Sequence, residues 1–279
     1  MLEPLERASP ADLPELMDEP GCDAERLRGA LAALARSNLL FGGHRLVWRG
    51  VRRALRGAEP GPLRILDVGT GAADIPLLLD RRLRAEGWSP RFVLADLHAT
   101  TLHIARERIR ERRRDAGRFR LVRLDGPSLP FVDDSFDLVL CANTLHHLER
   151  SGAARLLSEA GRVAARGWVV SDLRRSRLAL GLVRLLAATL WRREPFPRRD
   201  GPVSVRRAFT PPEMDGLMSE AGVGGSVLGT GPVRFLAAGG PLAAGGSGAG
   251  GERASAGGSR EERGRPAAAG RPAAAGGSA

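Results

Sequence analysis

The 279-residue sequence predicts an α/β protein built on a doubly wound, mostly parallel seven-stranded sheet with helices on both faces. Three observations predict it. Between residues 60 and 236, short apolar runs of strand length alternate with amphipathic segments of helix length. Each helical segment is long enough for a right-handed crossover between parallel strands. The first apolar run passes through a glycine-bearing turn directly into a helix. In sheets of this kind a ligand lies beyond the carboxyl ends of the strands, at the topological switch point, so the residues that end strands are the ones to question.

The elements follow in order. Residues 1–22 are acidic and proline-rich, with Glu3, Glu6, Asp12, Glu15, Asp18 and Glu19 against Arg7 alone, and read as a loosely held leader. Two helical patterns occupy residues 23–58. Leu27, Leu31 and Leu34 mark the first, and Leu46, Val47, Val51 and Leu55 mark the second after Gly42-Gly43, giving an N-terminal helical lid. Strand runs are Leu63–Val68, Arg91–Ala95, Arg120–Leu124, Phe136–Ala142, Trp168–Ser171, Gly225–Leu228 and Val233–Ala237. Ile75, Leu78, Leu79 and Leu83 face inward on the first intervening helix; Leu102, Ala105 and Ile109 do so on the second. Ser151 is placed to cap a helix carrying Leu156, Leu157, Ala160 and Val163. Thr210-Pro211-Pro212-Glu213 is a capping box with proline at the first helical position, and Gly222 is the stop. Residues 60–237 therefore form the main domain. Residues 239–279, rich in Gly, Ala and Pro with a repeated Gly-Arg-Pro-Ala-Ala-Ala-Gly, lack the apolar content to offset their ordering entropy and read as disordered.

Composition excludes several chemistries. All 43 Lys+Arg residues are arginine and there is no tyrosine, so a Schiff-base lysine, a P-loop lysine and a tyrosine acid or base are ruled out. The net charge of +11 raises nucleic acid as a partner. Complete use of Arg in place of Lys beside abundant Ala, Gly and Pro reads instead as GC-rich codon usage, and with aromatic residues at 4% the arginine runs lack interleaved aromatics on which bases would stack. Cys22 and Cys141 have neither CxxC spacing nor companion histidines, so reduced thiols are expected and no metal. With no signal peptide, and with Leu178–Trp191 too short and too charged to span a bilayer, a cytoplasmic protein is expected.

The chemistry-bearing residues close successive strands. Asp67 precedes the turn Gly69-Thr70-Gly71-Ala72-Ala73, and a carboxylate there disfavours a diphosphate and favours an amine-bearing ligand. Asp96 ends the second strand and suits a pair of ribose hydroxyls; Asp125 follows the third and suits an exocyclic adenine amine.

With these residues in place, the sequence resembles the class I S-adenosylmethionine-dependent methyltransferases over about residues 60–237. The family's Asp-x-Gly-x-Gly-x-Gly loop is matched by Asp67-Val68-Gly69-Thr70-Gly71-Ala72-Ala73, its ribose acid by Asp96 and its adenine-side acid by Asp125. Its fourth-strand block is matched by Leu129-Pro130-Phe131-Val132-Asp133-Asp134-Ser135-Phe136-Asp137-Leu138-Val139-Leu140 and the following Cys141-Ala142-Asn143-Thr144-Leu145-His146-His147-Leu148. Ala73 replaces the third glycine, an exchange of small consequence if the backbone there is helical, and His98 stands where the family often has a capping serine.

The resemblance implies a Rossmann-like sheet with an antiparallel final strand and S-adenosylmethionine as cofactor. It also implies cofactor contacts from Asp67, Gly69, Thr70, Gly71, Asp96, Leu97, Asp125, Gly126 and Ala142. For a phenol or enol acceptor a base is needed; His147, then His146, are the nearest imidazoles, and His44 is a more distant one. Adjacent histidines at a helix start are expected to diverge, which argues against a metal pair. Asn143 and Asp172 fall where catechol-type relatives hold metal, but the fourth-strand carboxylate is missing.

The Leu-rich segment 178–191 reads as a lid over the methyl site or as a buried layer or homodimer contact. The flanks are similar to methyltransferases of bacterial polyketide and quinone pathways. The expected activity is methylation of a small apolar acceptor on a phenolic, quinone-like or polyketide-derived oxygen. The alternatives are carbon methylation of a quinone precursor, RNA methylation and a non-catalytic cofactor-binding subunit.

Overall fold

Strand β1 (Pro62–Val68) lies inside the sheet because both of its faces are apolar. Leu63 and Ile65 point to one side and Leu66 and Val68 to the other, all at 2% exposure or less. In the computed structural model, which describes residues 5–18, 23–112 and 116–240, six further strands join it. They are β2 (Ser89–Asp96), β3 (Phe119–Arg123), β4 (Phe136–Ala142), β5 (Ala164–Leu173), β6 (Ser226–Thr230) and β7 (Arg234–Gly239). The order is β3-β2-β1-β4-β5-β7-β6. Strands β1 to β5 run parallel, and β7 is antiparallel to both of its neighbours. The chain reverses its direction of winding between β1 and β4, which makes their carboxyl ends the switch point. Glu3, Glu19, Cys22 and the tail from residue 241 lie outside the described residues, as do the readings made on them.

Eight helices are described: α1 (Ala24–Leu40), α2 (Gly43–Ala54), α3 (Asp74–Ala85), α4 (Ala99–Glu111), α5 (Arg150–Val163), α6 (Arg177–Ala188), α7 (Pro195–Arg207) and α8 (Pro211–Ala221). Helices α5 and α8 cover one sheet face through Leu156, Leu157, Met214 and Leu217, packed on Leu66, Val139 and Trp168. Helices α2, α3 and α4 cover the other through Val51, Leu79, Leu83 and Ile109, packed on Ile65, Phe92 and Leu138. The expected N-terminal lid therefore divides. Helix α1 lies over the strand ends, whereas α2 descends onto the sheet face, where a Cβ on Gly50 would come 2.5 Å from Val169.

Several local expectations hold. Thr210 accepts from Glu213 N, Glu213 accepts from Thr210 N, and Gly222 closes α8 at φ +69°. Others are corrected. Ser151 lies inside the first turn of α5; the cap is Glu149, whose carboxylate is drawn off by Ser9 Oγ at 2.5 Å and Arg7 at 3.9 Å. Ala73 is not helical but left-handed at φ +57°, a strain of about 1–2 kcal/mol for a residue with a Cβ.

Helix α7 has no counterpart in the sequence reading, because prolines at 195, 197 and 202 and Gly201 erase a helical signal. Tertiary contacts form it. Phe196 and Val205 are buried, and the Asp200 carboxylate accepts from Leu16 N (2.9 Å) and Met17 N (3.2 Å).

The largest correction concerns the acidic leader. Residues 5–18 are held against α7 and the strand ends. Ala8 N donates to Arg206 O, Arg7 reaches Arg207 O and Leu148 O at 2.7 and 2.6 Å, and Arg175 Nε donates to Leu5 O at 2.7 Å. Glu15 is 1% exposed. Counting charges along the segment gives no sign of this, because two of its carboxylates, Glu15 and Asp18, face the buried Arg207 rather than water, while Glu6 and Asp12 are exposed.

Candidate active site

The nine residues expected to contact the cofactor, with His146 and His147, line one cavity of about 980 Å³ above the carboxyl ends of β1, β2 and β4; Asn143 joins them, and Asp172 does not. The loop after β1 builds its floor. Gly69 N and Thr70 N both donate to Ala95 O, at 2.9 and 3.0 Å, which folds the loop back on β2. Gly69 stands at φ +73°, and a Cβ there would lie 2.1 Å from Thr144 Oγ1, so this glycine is required by the turn after β4. Gly71, at φ +54°, faces open space, the nearest atom to a Cβ being Leu31 Cδ2 at 3.7 Å.

The three acids differ in environment. Asp67 is 2% exposed, has no cation within ion-pair distance among the described residues, and is pushed up to about 7 by burial. Asp96 accepts Gly71 N and His98 N, each at 3.1 Å and each on a separate oxygen, which leaves a lone pair on both. Burial raises its pKa. Asp125, beyond β3, is exposed at the rim with Leu97, which is 50% exposed; Gly126 and Ala142 complete the wall.

The two histidines sit on a short 3-10 turn, Leu145–His147, after β4. Their rings do not diverge: the centroids are 4.3 Å apart. Each has its own carboxylate. His146, 3% exposed, places Nδ1 2.6 Å from Asp172 Oδ1, and its backbone N donates to Asp172 Oδ2 at 3.2 Å. Its Nε2 is 3.9 Å from Glu15, beyond hydrogen-bond reach. Burial works to raise Asp172, but the charge and hydrogen bond of His146 outweigh it and hold the carboxyl below its usual range.

His147 Nδ1 is 2.9 Å from Asp18 Oδ2. Burial alone would lower His147; the Glu15 charge and the Asp18 hydrogen bond prevail and raise it to about 9. Asp18 falls to about 2, the His147 bond and charge overcoming its own burial. His44, the third imidazole considered, lies outside the cavity lining and pairs with Asp74 at 2.8 Å.

Arg207 organises this wall. At 1% exposure it donates Nε to His146 O at 3.1 Å and sets Nη1 3.2 Å from Glu15 and 3.4 Å from Asp18. Ligand atoms of Glu15, His146 and His147 fall within 4.8 Å of one another, a spacing that metal sets share. The guanidinium already neutralises Glu15, and a second cation beside it would be repelled. Glu15, Asp18 and Arg207 were not found from the sequence, since each lies far along the chain from the motifs it serves.

The apolar part of the cavity is lined by Leu182, Val183, Leu185 and Leu186 of α6, by Trp191, and by Phe196 of α7. Helix α6 thus walls one side of the cavity, with Leu178, 61% exposed, outside the lining.

A family model described as "Methyltransferase domain" matches residues 65–167. Those residues hold the glycine loop, all three acids and both histidines. They are a class I S-adenosylmethionine-dependent methyltransferase domain. Among similar sequences, the ubiquinone/menaquinone biosynthesis C-methyltransferase UbiE of Idiomarina loihiensis is 34% identical over 128 residues, 44% of this chain and 49% of that one. Its counterpart in Xanthomonas campestris is 37% identical over 114 residues, 41% and 43% of the two chains. The chain thus matches about half the length of these relatives or less.

Among solved structures, a SAM-dependent methyltransferase from Aquifex aeolicus superposes with a TM-score of 0.53 at 18% identity, covering 76% of this chain and 97% of that one. Human N-acetylserotonin methyltransferase in complex with SAM gives 0.55 at 14% identity, covering 78% and 56%. These share the fold. The residues at the strand ends are of the kind that would fit S-adenosylmethionine. Asp67 lacks a cation that an ammonium would supply, both oxygens of Asp96 have a lone pair left for a diol, and Gly71 leaves the loop open.

The Asp18–His147 pair makes stability depend on pH in a defined window. A raised histidine stabilises fully below its unfolded pKa of about 6.5 and loses that contribution as pH rises through about 9; a lowered aspartate stabilises above its unfolded value and loses it as pH falls through about 2. Urea unfolding of His147→Gln against wild type should show its largest loss at pH 5–6, shrinking as pH rises from about 6.5 and vanishing above about pH 9. A loss that grows with pH would contradict the pairing.

Proposed function

We propose that this protein methylates a small hydroxylated aromatic or enol acceptor, with His146 as the base and the acceptor oxygen as the methylated atom. One observation carries the proposal. His146 lines the cavity with Nδ1 fixed by a buried carboxylate and Nε2 left without a hydrogen bond, the arrangement that orients an imidazole for proton removal.

The cofactor half supports it. Asp96 would hold the ribose hydroxyls, Asp67 the amino group, and Asp125 with Leu97 and Gly126 the adenine side. S-adenosylmethionine, when bound, supplies an electrophilic methyl group on its sulfonium. The chain's own part is to exclude water with α1, α6 and residues 5–18, to orient the acceptor, and to take its proton. Proximity of this kind contributes up to about 7–11 kcal/mol.

His146 takes that proton on Nε2, and Asp172 stabilises the imidazolium that forms. His147, held charged by Asp18, is not the base; this reverses the order expected from the sequence. It acts on charge instead, offsetting Glu15 and Asp18 beside His146. The Leu, Trp and Phe lining supports a hydrophobic acceptor. A cytoplasmic location and the surface of α6 as a homodimer contact belong to the same proposal. No described helix is long and apolar enough to cross a membrane.

The names of the UbiE relatives favour a second reading, carbon methylation of a quinone precursor. Removal of a phenol proton by His146 serves that chemistry too, since a phenolate is nucleophilic at its ring carbons as well as at oxygen. The fragmentation pattern of the product from labelled cofactor separates the two.

Two measurements check this reading. Because Asp67 must lose its proton to meet an ammonium, calorimetric affinity for S-adenosylmethionine should rise about tenfold per pH unit up to about pH 7 and level above it. An affinity flat from pH 5 to 8, or unchanged in Asp67→Ala, would contradict it. His146→Ala and Asp172→Asn should each lower turnover of a phenolic acceptor by roughly 10²–10⁴ with cofactor affinity within about threefold of wild type. Unchanged turnover in His146→Ala would remove the base.

A further inference from the structure

Two buried guanidiniums line the cavity, and they are satisfied in opposite ways. Arg207 has Glu15 and Asp18. Arg234, at the start of β7 and 8% exposed, has no carboxylate within 4 Å among the described residues. Its terminal nitrogens donate only to neutral amides: Nη1 to Asn143 Oδ1, and Nη2 to Asn38 Oδ1 at 2.9 Å. Its Nε–H is buried with no partner at all.

The amides are in turn fixed. Asn143 Nδ2 donates to Asn38 Oδ1 at 3.2 Å, and Asn38 Nδ2 donates to Asp74 at 3.1 Å, so neither side chain is free to turn and satisfy Nε. Asn143 adopts φ +55°, a strained backbone for a residue with a side chain, at the end of β4. A guanidinium withdrawn from water with only neutral acceptors is poorly compensated, and burial pushes its pKa down. The unused Nε–H beside a terminal N–H is the fork that a carboxylate takes in two parallel bonds.

Its place in the sheet says which ligand this is. Asp125 follows β3, and Asp96 and Asp67 stand at the carboxyl ends of β2 and β1, whereas Arg234 is on β7, beyond β4 and β5 in the strand order. At about 4.8 Å between neighbouring strands its backbone is about 14 Å from β1, and its guanidinium reaches back to Asn143 at the end of β4, still two strands from β2, which carries the ribose acid Asp96. We propose that Arg234 is an oxyanion receptor in the acceptor half of the cavity, and that the acceptor carries a carboxylate or a similarly acidic group besides the oxygen or carbon that is methylated. This rests on the methyltransferase reading for the word acceptor, but not for the binding itself, which needs no turnover.

The test is calorimetry on the full-length protein with S-adenosylhomocysteine present, using 2-naphthoate and 2-naphthamide as matched apolar probes. Wild type should bind the acid at least about tenfold more tightly than the amide. Arg234→Met should abolish that preference while the affinity for S-adenosylhomocysteine changes less than about threefold. Arg234→Lys, which keeps the charge and loses the fork, should keep a reduced preference and guards against a Met variant that fails to fold. Equal binding of the two probes by wild type, or no binding of either, would overturn the proposal. So would a Met variant that loses affinity for S-adenosylhomocysteine and keeps its preference for the acid, since Arg234 would then serve the cofactor's own carboxylate. Failure of methyl transfer with normal acid-selective binding would count against the activity and leave this site standing.

Discussion

The burial of Arg207 is the constraint on which the site depends. A guanidinium at 1% exposure is tolerable only with its charge met, and the two carboxylates that meet it, Glu15 and Asp18, come from the opposite end of the chain. Satisfying Arg207 therefore draws residues 5–18 over the strand ends and closes one side of the cavity. The same guanidinium holds His146 O, so the position of the imidazole and the seating of the N-terminal segment are one event. Helix α7, with three prolines and a glycine, persists for the same reason: it delivers Arg207 and Asp200 to partners on that segment.

Around this clamp the two adjacent imidazoles acquire different jobs. Both are near negative charge, yet the partners differ in kind. Asp172, at the end of β5, is part of the sheet and bonds both the ring and the backbone of His146, which fixes orientation. Asp18 belongs to the segment laid over the top, and its pairing with His147 fixes charge. A histidine held charged to about pH 9 stabilises a lid and cannot collect a proton at neutral pH. On the proposed reading, the division lets one short turn serve both closure and chemistry.

Much of the cofactor half was legible in the sequence because its residues are local to strand ends. Asp67, Asp96 and the glycine loop are positioned by β1, β2 and one turn, and period-two and helical patterns locate those elements. The seven strands were placed for the same reason, with errors of a few residues at their ends, the largest at β5, which begins at Ala164. The rest of the cavity was not legible. Its groups are contributed by residues as far apart as Glu15, Asn38, Asp172, Arg207 and Arg234, and it is their burial, which no local pattern encodes, that gives them meaning. An acidic stretch at the N-terminus looks solvated until the arginine that faces it is located; α7 looks like a loop until its partners are counted.

The central claim, that His146 is the proton acceptor and His147 the fixed charge, is tested most directly by nitrogen-15 NMR of the imidazole rings at pH 7.5, assigned with His146→Gln and His147→Gln. The account predicts that His147 carries protons on both ring nitrogens, and that His146 carries one on Nδ1, toward Asp172, with Nε2 unprotonated. A neutral His147 beside a doubly protonated His146 would contradict it.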